Sequence, residues 1–174
     1  MADGPGRVLL VGMMGAGKTR VGRALAARIG AQYLDSDEQV EAATGRTVAE
    51  IFATDGEAAF RAQESQALRA ATATGPPVVV SVAGGAVLDA ANRAVITGAG
   101  TVVWLRATID TLVERVGDGA GRPLLAGDPR RALDGLLVER RPLYAEVADL
   151  TVDVDDRSVD EVVDRIVAAI GEPT

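Results

Sequence analysis

Apolar and polar positions change period repeatedly along this 174-residue chain. Arg7–Gly12 (RVLLVG) is a short apolar run closed by glycine, as in a strand buried on both faces. From Lys18 the apolar residues spread to Val21, Leu25 and Ile29, one face of a helix that Gly30 ends. Gln32–Asp35 reads as a second strand. Thr47–Glu50 (TVAE) is a capping box opening a helical segment that Gly56 ends, and Glu57–Ala73 is rich in strong helix formers. Pro77–Val82 (PVVVSV) is the clearest strand, and helical spacing resumes over Leu88–Ile96. Thr101–Leu105 predicts a strand, and Thr108–Val116 the helix after it. Gly117–Arg131 is dense in Gly, Pro and charge, which predicts a mobile loop. A helix to about Arg141, a strand over Leu150–Val154 and a helix opened by a second capping box, Ser158–Glu161, complete the chain to Ile170.

Strands thus alternate with helices five times. That order predicts one α/β domain over residues 1–174, with a five-stranded parallel sheet flanked by helices in three layers. Residues 36–73 form an inserted helical segment, and 117–131 a loop lid.

Composition narrows the chemistry. Histidine and cysteine are both absent, so a Ser-His-Asp triad, a thiol nucleophile and a Zn–Cys site are excluded. The net charge of −7 argues against a nucleic-acid partner but permits a local basic pocket. The start, MADGPGR, has no basic n-region followed by an apolar stretch, and no apolar run is long enough to span a bilayer. The expectation is a cytoplasmic protein without a membrane partner.

Gly12–Thr19 (GMMGAGKT) matches G-x-x-x-x-G-K-[ST], with a strand before it and a helix after it. Such glycines let backbone N–H groups of Gly15, Ala16, Gly17 and their neighbours curl inward around an anion, and the helix N-terminus adds its positive end. Lys18, the single lysine, would meet the β/γ-phosphates of ATP, and the Thr19 hydroxyl would bind Mg²⁺. An ammonium on a thin stem suits a narrow slot in which a planar guanidinium would crowd. A small GTPase needs a second lysine in N-K-x-D and is excluded.

The later segments bear on the acceptor. Asp35 and Asp37 (LDSDE) follow the second strand, where they divide metal and acceptor roles or where Asp37 or Ser36 simply caps the next helix. Arg61 and Glu64 share a helix face, either as a surface ion pair or as a guanidinium held to grip a carboxylate. Gly84 and Gly85 permit backbone to approach a ligand, or serve only as a turn. Arg122 sits in the lid loop, where it can close over a transferring phosphate. Arg140 and Arg141 precede Pro142, lining a pocket or finishing a helix at its negative end.

In this order the motifs Gly12–Thr19, Asp35/Asp37, Phe60/Arg61/Glu64, Gly84/Gly85, Arg122–Leu125 and Arg140–Tyr144 resemble those of the shikimate kinase family, over nearly the whole chain. The resemblance implies a P-loop kinase fold of the nucleoside-monophosphate-kinase type and phosphorylation of the shikimate 3-hydroxyl by MgATP, a step toward chorismate and the aromatic amino acids. It implies that Arg61 and Arg140 hold the shikimate carboxylate, with Gly84 and Gly85 also touching the ligand and Glu64 orienting Arg61. Asp37 would bond the ring hydroxyls and serve as base, and Asp35 would hold Mg²⁺ through water beside Thr19. Arg122 would swing in with the lid, while Arg20, Arg115 and Arg157 would lie along the nucleotide. A monomer is expected.

Two other readings are carried. One is a kinase for another small hydroxylated acceptor such as gluconate, or for a nucleoside monophosphate. The other is a non-catalytic nucleotide-binding regulator, against which the presence of Lys18, Asp37 and Arg122 argues. The family often has three glycines after the third strand, and the first is Ala83 here. If that position needs positive φ, alanine costs about 1 kcal/mol or more.

Overall fold

A computed structural model describes residues 6–171, so the reading of the first five residues as free of a leader lies outside the described part. Five strands, β1 (Arg7–Val11), β2 (Gln32–Asp35), β3 (Val78–Ser81), β4 (Thr101–Arg106) and β5 (Leu150–Asp153), form one parallel sheet in the order β2-β3-β1-β4-β5. The helices are α1 (Lys18–Ile29), α2 (Ser36–Thr44), α3 (Val48–Asp55), α4 (Glu57–Ala73), α5 (Ala90–Ala99), α6 (Ile109–Val116), α7 (Pro129–Val147) and α8 (Val159–Ile170). α1 and α8 cover one face of the sheet, α5 and α7 the other. The three-layer α/β expectation is therefore met.

β1, β3 and β4 are apolar nearly throughout because helices cover both their faces. With few aromatics available, Val, Leu and Ile fill the interior around Leu9, Leu25, Val80 and Leu105. A second, smaller cluster of Val40, Ile51, Phe60 and Ala67 holds α2, α3 and α4 together. Phe52 and Phe60 stack on its edge at a centroid distance of 4.8 Å.

Both capping boxes form, with Thr47 bonding Glu50 and Ser158 bonding Glu161 reciprocally. Several boundaries differ from the sequence reading, the strand limits by at most one residue and some helix limits by more. The helix expected to end near Arg141 runs on to Val147 through Pro142. Proline there removes one helical donor, yet buried Tyr144 and Val147 anchor the last turn, and packing outweighs the lost bond. The freed carbonyl, four residues back, belongs to Val138, which is 72% exposed and open to water. The helix after β3 starts at Ala90 rather than Leu88, because the Asp89 side chain accepts from the Ala91 and Asn92 N–H groups and a 3-10 turn occupies Ala86–Leu88. Finally, the 117–131 loop is shorter than expected. Asp128 caps α7 at Pro129, a 3-10 turn spans Pro123–Leu125, and Leu125 is buried in the main core.

Candidate active site

The carboxyl ends of the strands open into one cleft of about 860 Å³. The loop from Gly12 to Gly17 forms its floor, with Gly12, Gly15 and Gly17 all at positive φ. At Gly12 the approach is also close, since a Cβ would lie 2.6 Å from the Leu105 carbonyl oxygen. Lys18 Nζ donates to the carbonyls of Gly12 (2.8 Å) and Met13 (3.1 Å). Arg115, from α6, donates to the carbonyls of Gly15 and Ala16, both at 3.2 Å, and so ties that helix to the loop. Arg157 donates to the Asp153 carbonyl, and exposed Arg20 and Arg122 stand on the rim of the same cleft.

Asp35 ends β2 and caps α2. Its Oδ1 accepts the N–H groups of Asp37 (2.9 Å) and Glu38 (3.2 Å). The helix cap is thus Asp35, not Ser36 or Asp37, because the first helical residue is Ser36. That leaves the other two free for different work. Ser36 is buried, and its hydroxyl accepts the Ala83 N–H at 2.8 Å. Asp37 points into the cleft. Asp35 Oδ2 accepts from the Thr19 hydroxyl at 3.3 Å.

Across the cleft lie Arg61 and Arg140. Arg61 Nη1 donates to both oxygens of Glu64 at 3.0 Å, and Nη2 to Glu57 at 3.3 Å. Glu64 is 2% exposed, so this is no surface pair. Gly85 is glycine because Arg61 lies on it: a Cβ there would stand 2.6 Å from Cζ and 2.7 Å from Nη2. A Cβ on Gly84 would stand 3.3 Å from Arg140 Nη1 and 3.2 Å from the Gly12 carbonyl oxygen. Neither Gly84 nor Gly85 has positive φ, nor does Ala83. The glycine pair serves close approach, and the alanine costs nothing.

Arg140 is 1% exposed, yet its guanidinium makes no ion pair among the described residues, and Nε has no hydrogen-bonding partner in the protein. Tyr144, one turn on, is fully buried and donates to the Gly84 carbonyl at 2.6 Å. Arg141, which the sequence placed level with Arg140, points elsewhere, beside Trp104 and Arg106. Ser36, Ser81 and Tyr144 support the site; the sequence offered Ser36 only as a helix cap and did not single out the other two. Tyr144 lay within a quoted motif, and Ser81 carried no signal.

Burial shifts the central pair in opposite senses. Desolvation lowers the Lys18 ammonium to about 8, although Asp37 and Asp35 pull it back up. Desolvation, then the charge of Asp35, raises Asp37 to about 6, against the pull of Lys18 and Arg61. Both groups remain charged at neutral pH, and the ionised aspartate can accept from a hydroxyl.

Among the described residues no three acidic side chains cluster as a metal cage. Mg²⁺ keeps most of its waters and needs only one or two protein groups beside phosphate oxygens. Thr19 and Asp35, already 3.3 Å apart at the mouth of the loop, fit that demand, and the mutual repulsion of Asp35 and Asp37 marks a place for positive charge.

Residues 14–171 match the family described as shikimate kinase. The chain is 49% identical over 165 residues to a shikimate kinase of Ruegeria pomeroyi, spanning 94% of this chain and 84% of that one. It is 47% identical over 163 residues to a shikimate kinase of Chromobacterium violaceum, spanning 93% and 88%. Among solved structures it resembles a shikimate kinase from Acinetobacter baumannii in complex with shikimate, with a TM-score of 0.92, 37% identity and coverage of 95% and 92%. A gluconokinase from Sinorhizobium meliloti, at a TM-score of 0.57 and 21% identity, shares the fold alone.

The raised Asp37 value has a consequence for stability. A carboxyl whose value rises from 3.8 unfolded to about 6 folded destabilises the native state fully above pH 6, and the penalty fades as pH falls toward 3.8. Asp37→Asn is expected to raise the unfolding free energy in urea by roughly 1–3 kcal/mol at pH 7.5. The gain should nearly vanish at pH 4; a gain equal at both values would refute the origin given for the shift.

Proposed function

The chain belongs to the shikimate kinase family, and we propose that the groups in its cleft transfer the γ-phosphoryl group of MgATP to the 3-hydroxyl of shikimate, giving shikimate 3-phosphate and ADP. The observation that carries the assignment of groups is Arg140. A buried guanidinium with no ion pair and an unsatisfied Nε is costly, and the cost is offset when an anion shares the space. With Arg61 also lining the cleft, two arginines suit one carboxylate in bidentate geometry.

The loop N–H groups of Gly15 to Thr19 hold the donor phosphates. Lys18 exchanges its carbonyl partners for phosphate oxygens and follows the moving phosphoryl group. Thr19 and Asp35 would hold Mg²⁺, which when bound neutralises phosphate charge and orients the donor. Asp37 accepts from the attacking 3-hydroxyl and takes its proton as the new O–P bond forms. Arg122 approaches with the 117–128 loop and balances charge on the transferring group. Arg115 braces the loop carbonyls, and Arg157 and Arg20 flank the nucleotide. Gly84 and Gly85 let the backbone meet the acceptor, which α2–α4 enclose. The cleft is lined within one chain, so a monomer suffices for the reaction, and the use of ATP and shikimate supports a place in the cytoplasm.

Gluconate is the second reading. Its kinase resembles this chain in fold alone, whereas the Acinetobacter baumannii neighbour is a shikimate complex. ADP release with shikimate, gluconate and AMP offered separately decides between them: release with shikimate only is expected, and no release above background with shikimate refutes the proposal. Gly85→Ala should displace Arg61 and raise the KM for shikimate at least tenfold, about 1.4 kcal/mol, with the KM for ATP within twofold. An unchanged KM for shikimate would mean that Arg61 does not hold the acceptor.

A further inference from the structure

The donor half of the cleft contains a chain of hydroxyl groups to which the mechanism above gives no work. Tyr33, on β2, lays its ring on Gly22 of α1, where a Cβ would come within 2.5 Å of Tyr33 Cε2. The Arg23 guanidinium stands 5.5 Å from the ring centroid and steadies it. The Tyr33 hydroxyl is 3.2 Å from Asp35 Oδ2 and 3.0 Å from Ser81 Oγ. Ser81, buried at the end of β3, donates in turn to the backbone carbonyl of Lys18 at 3.1 Å. Three elements thus meet through two hydroxyls.

Counting protons sets the directions. Ser81 has one proton, and the Lys18 carbonyl takes it, so Ser81 offers Tyr33 only lone pairs. The Asp35 carboxylate can only accept. Tyr33 shares its one proton between two acceptors, Asp35 Oδ2 and Ser81 Oγ, of which the charged oxygen is the stronger. A phenol keeps its proton at neutral pH. Asp35 Oδ1 is already fixed by the α2 N-terminus, and Tyr33 is what fixes Oδ2 next to Thr19.

We propose that Tyr33 is a positioning residue for the metal–nucleotide half of the site, aligning the Asp35 carboxylate with Thr19 and bracing it, through Ser81, against the carbonyl of Lys18. The proposal rests on the reading of Asp35 and Thr19 as the holders of Mg²⁺. Removing the hydroxyl frees one carboxylate oxygen to rotate. The loss falls on metal-dependent nucleotide binding and spares the acceptor, which Arg61 and Arg140 hold on the far side.

Calorimetric titration of ADP, with Mg²⁺ and with EDTA, tests this on the wild type, Tyr33→Phe, Asp35→Asn and the double variant. Tyr33→Phe is expected to weaken ADP binding three- to tenfold with Mg²⁺, to leave it within twofold in EDTA, and to leave shikimate affinity unchanged. The double variant should bind no more weakly than Asp35→Asn alone, because the hydroxyl acts through the carboxylate. Equal loss with and without metal, or fully additive losses, would overturn the proposal and leave Tyr33 as packing. A metal-dependent loss in Asp35→Asn but none in Tyr33→Phe overturns the proposal and leaves the reading of Asp35 standing. No such loss in Asp35→Asn overturns both. Ser81→Ala probes the chain from its other end, should Tyr33→Phe fold poorly; it should show the same metal-dependent pattern, and its absence counts against the proposal.

Discussion

The site depends on one buried charge that lines the cleft without an ion pair. Arg140 lines the cleft, 1% exposed, in no ion pair among the described residues, with Glu64 near enough only to feel its charge. Buried arginine without a partner weakens a fold, so the surroundings must hold it by force. α7 does so by continuing past Pro142 until Tyr144 and Val147 are packed. Tyr144 then fastens the Gly84 carbonyl, and Gly84 offers no side chain that would press on the guanidinium. The same glycine pair admits Arg61, whose own position is set by buried Glu64. Helix length, glycine placement and the Arg61–Glu64 pair follow from the need to seat two guanidinium groups side by side.

The donor half is built on the opposite principle, with Lys18, Arg115 and Asp35 each partnered before any ligand arrives. Lys18 rests on two carbonyls, Arg115 on two more, and Asp35 on the N-terminus of α2 and two hydroxyls. Phosphates bring their own acceptors and replace such contacts one for one. A chain of net charge −7 can hold two anions because seven basic side chains line its cleft against five carboxylates. Ser36 connects the halves: it lies between the two aspartates and bonds the backbone just before the glycine pair.

Much of this was legible in the sequence, for stated reasons. Alternating periods gave the five strands and their order in the chain, and the loop motif located the donor end. Helix limits failed where tertiary packing outweighed a local signal, as at Pro142. The cap of α2 was assigned one or two residues late, because Asp35, Ser36 and Asp37 are all good capping residues and only the backbone decides among them. Spacing could not separate Arg140 from Arg141, which point about 100° apart on a helix, one inward and one out. Tyr33 and Ser81 gave no sign at all, since their link joins positions 48 apart that meet only in the folded sheet.

The central claim is that Arg140 is kept at the expense of stability in order to bind a carboxylate. Arg140→Met, followed by shikimate titration and urea unfolding, tests it most directly. The account predicts shikimate binding weaker by a hundredfold or more, ADP binding within twofold of wild type, and an unfolding free energy higher by about 1–4 kcal/mol. Retained shikimate affinity, or a variant less stable than the wild type, would contradict it.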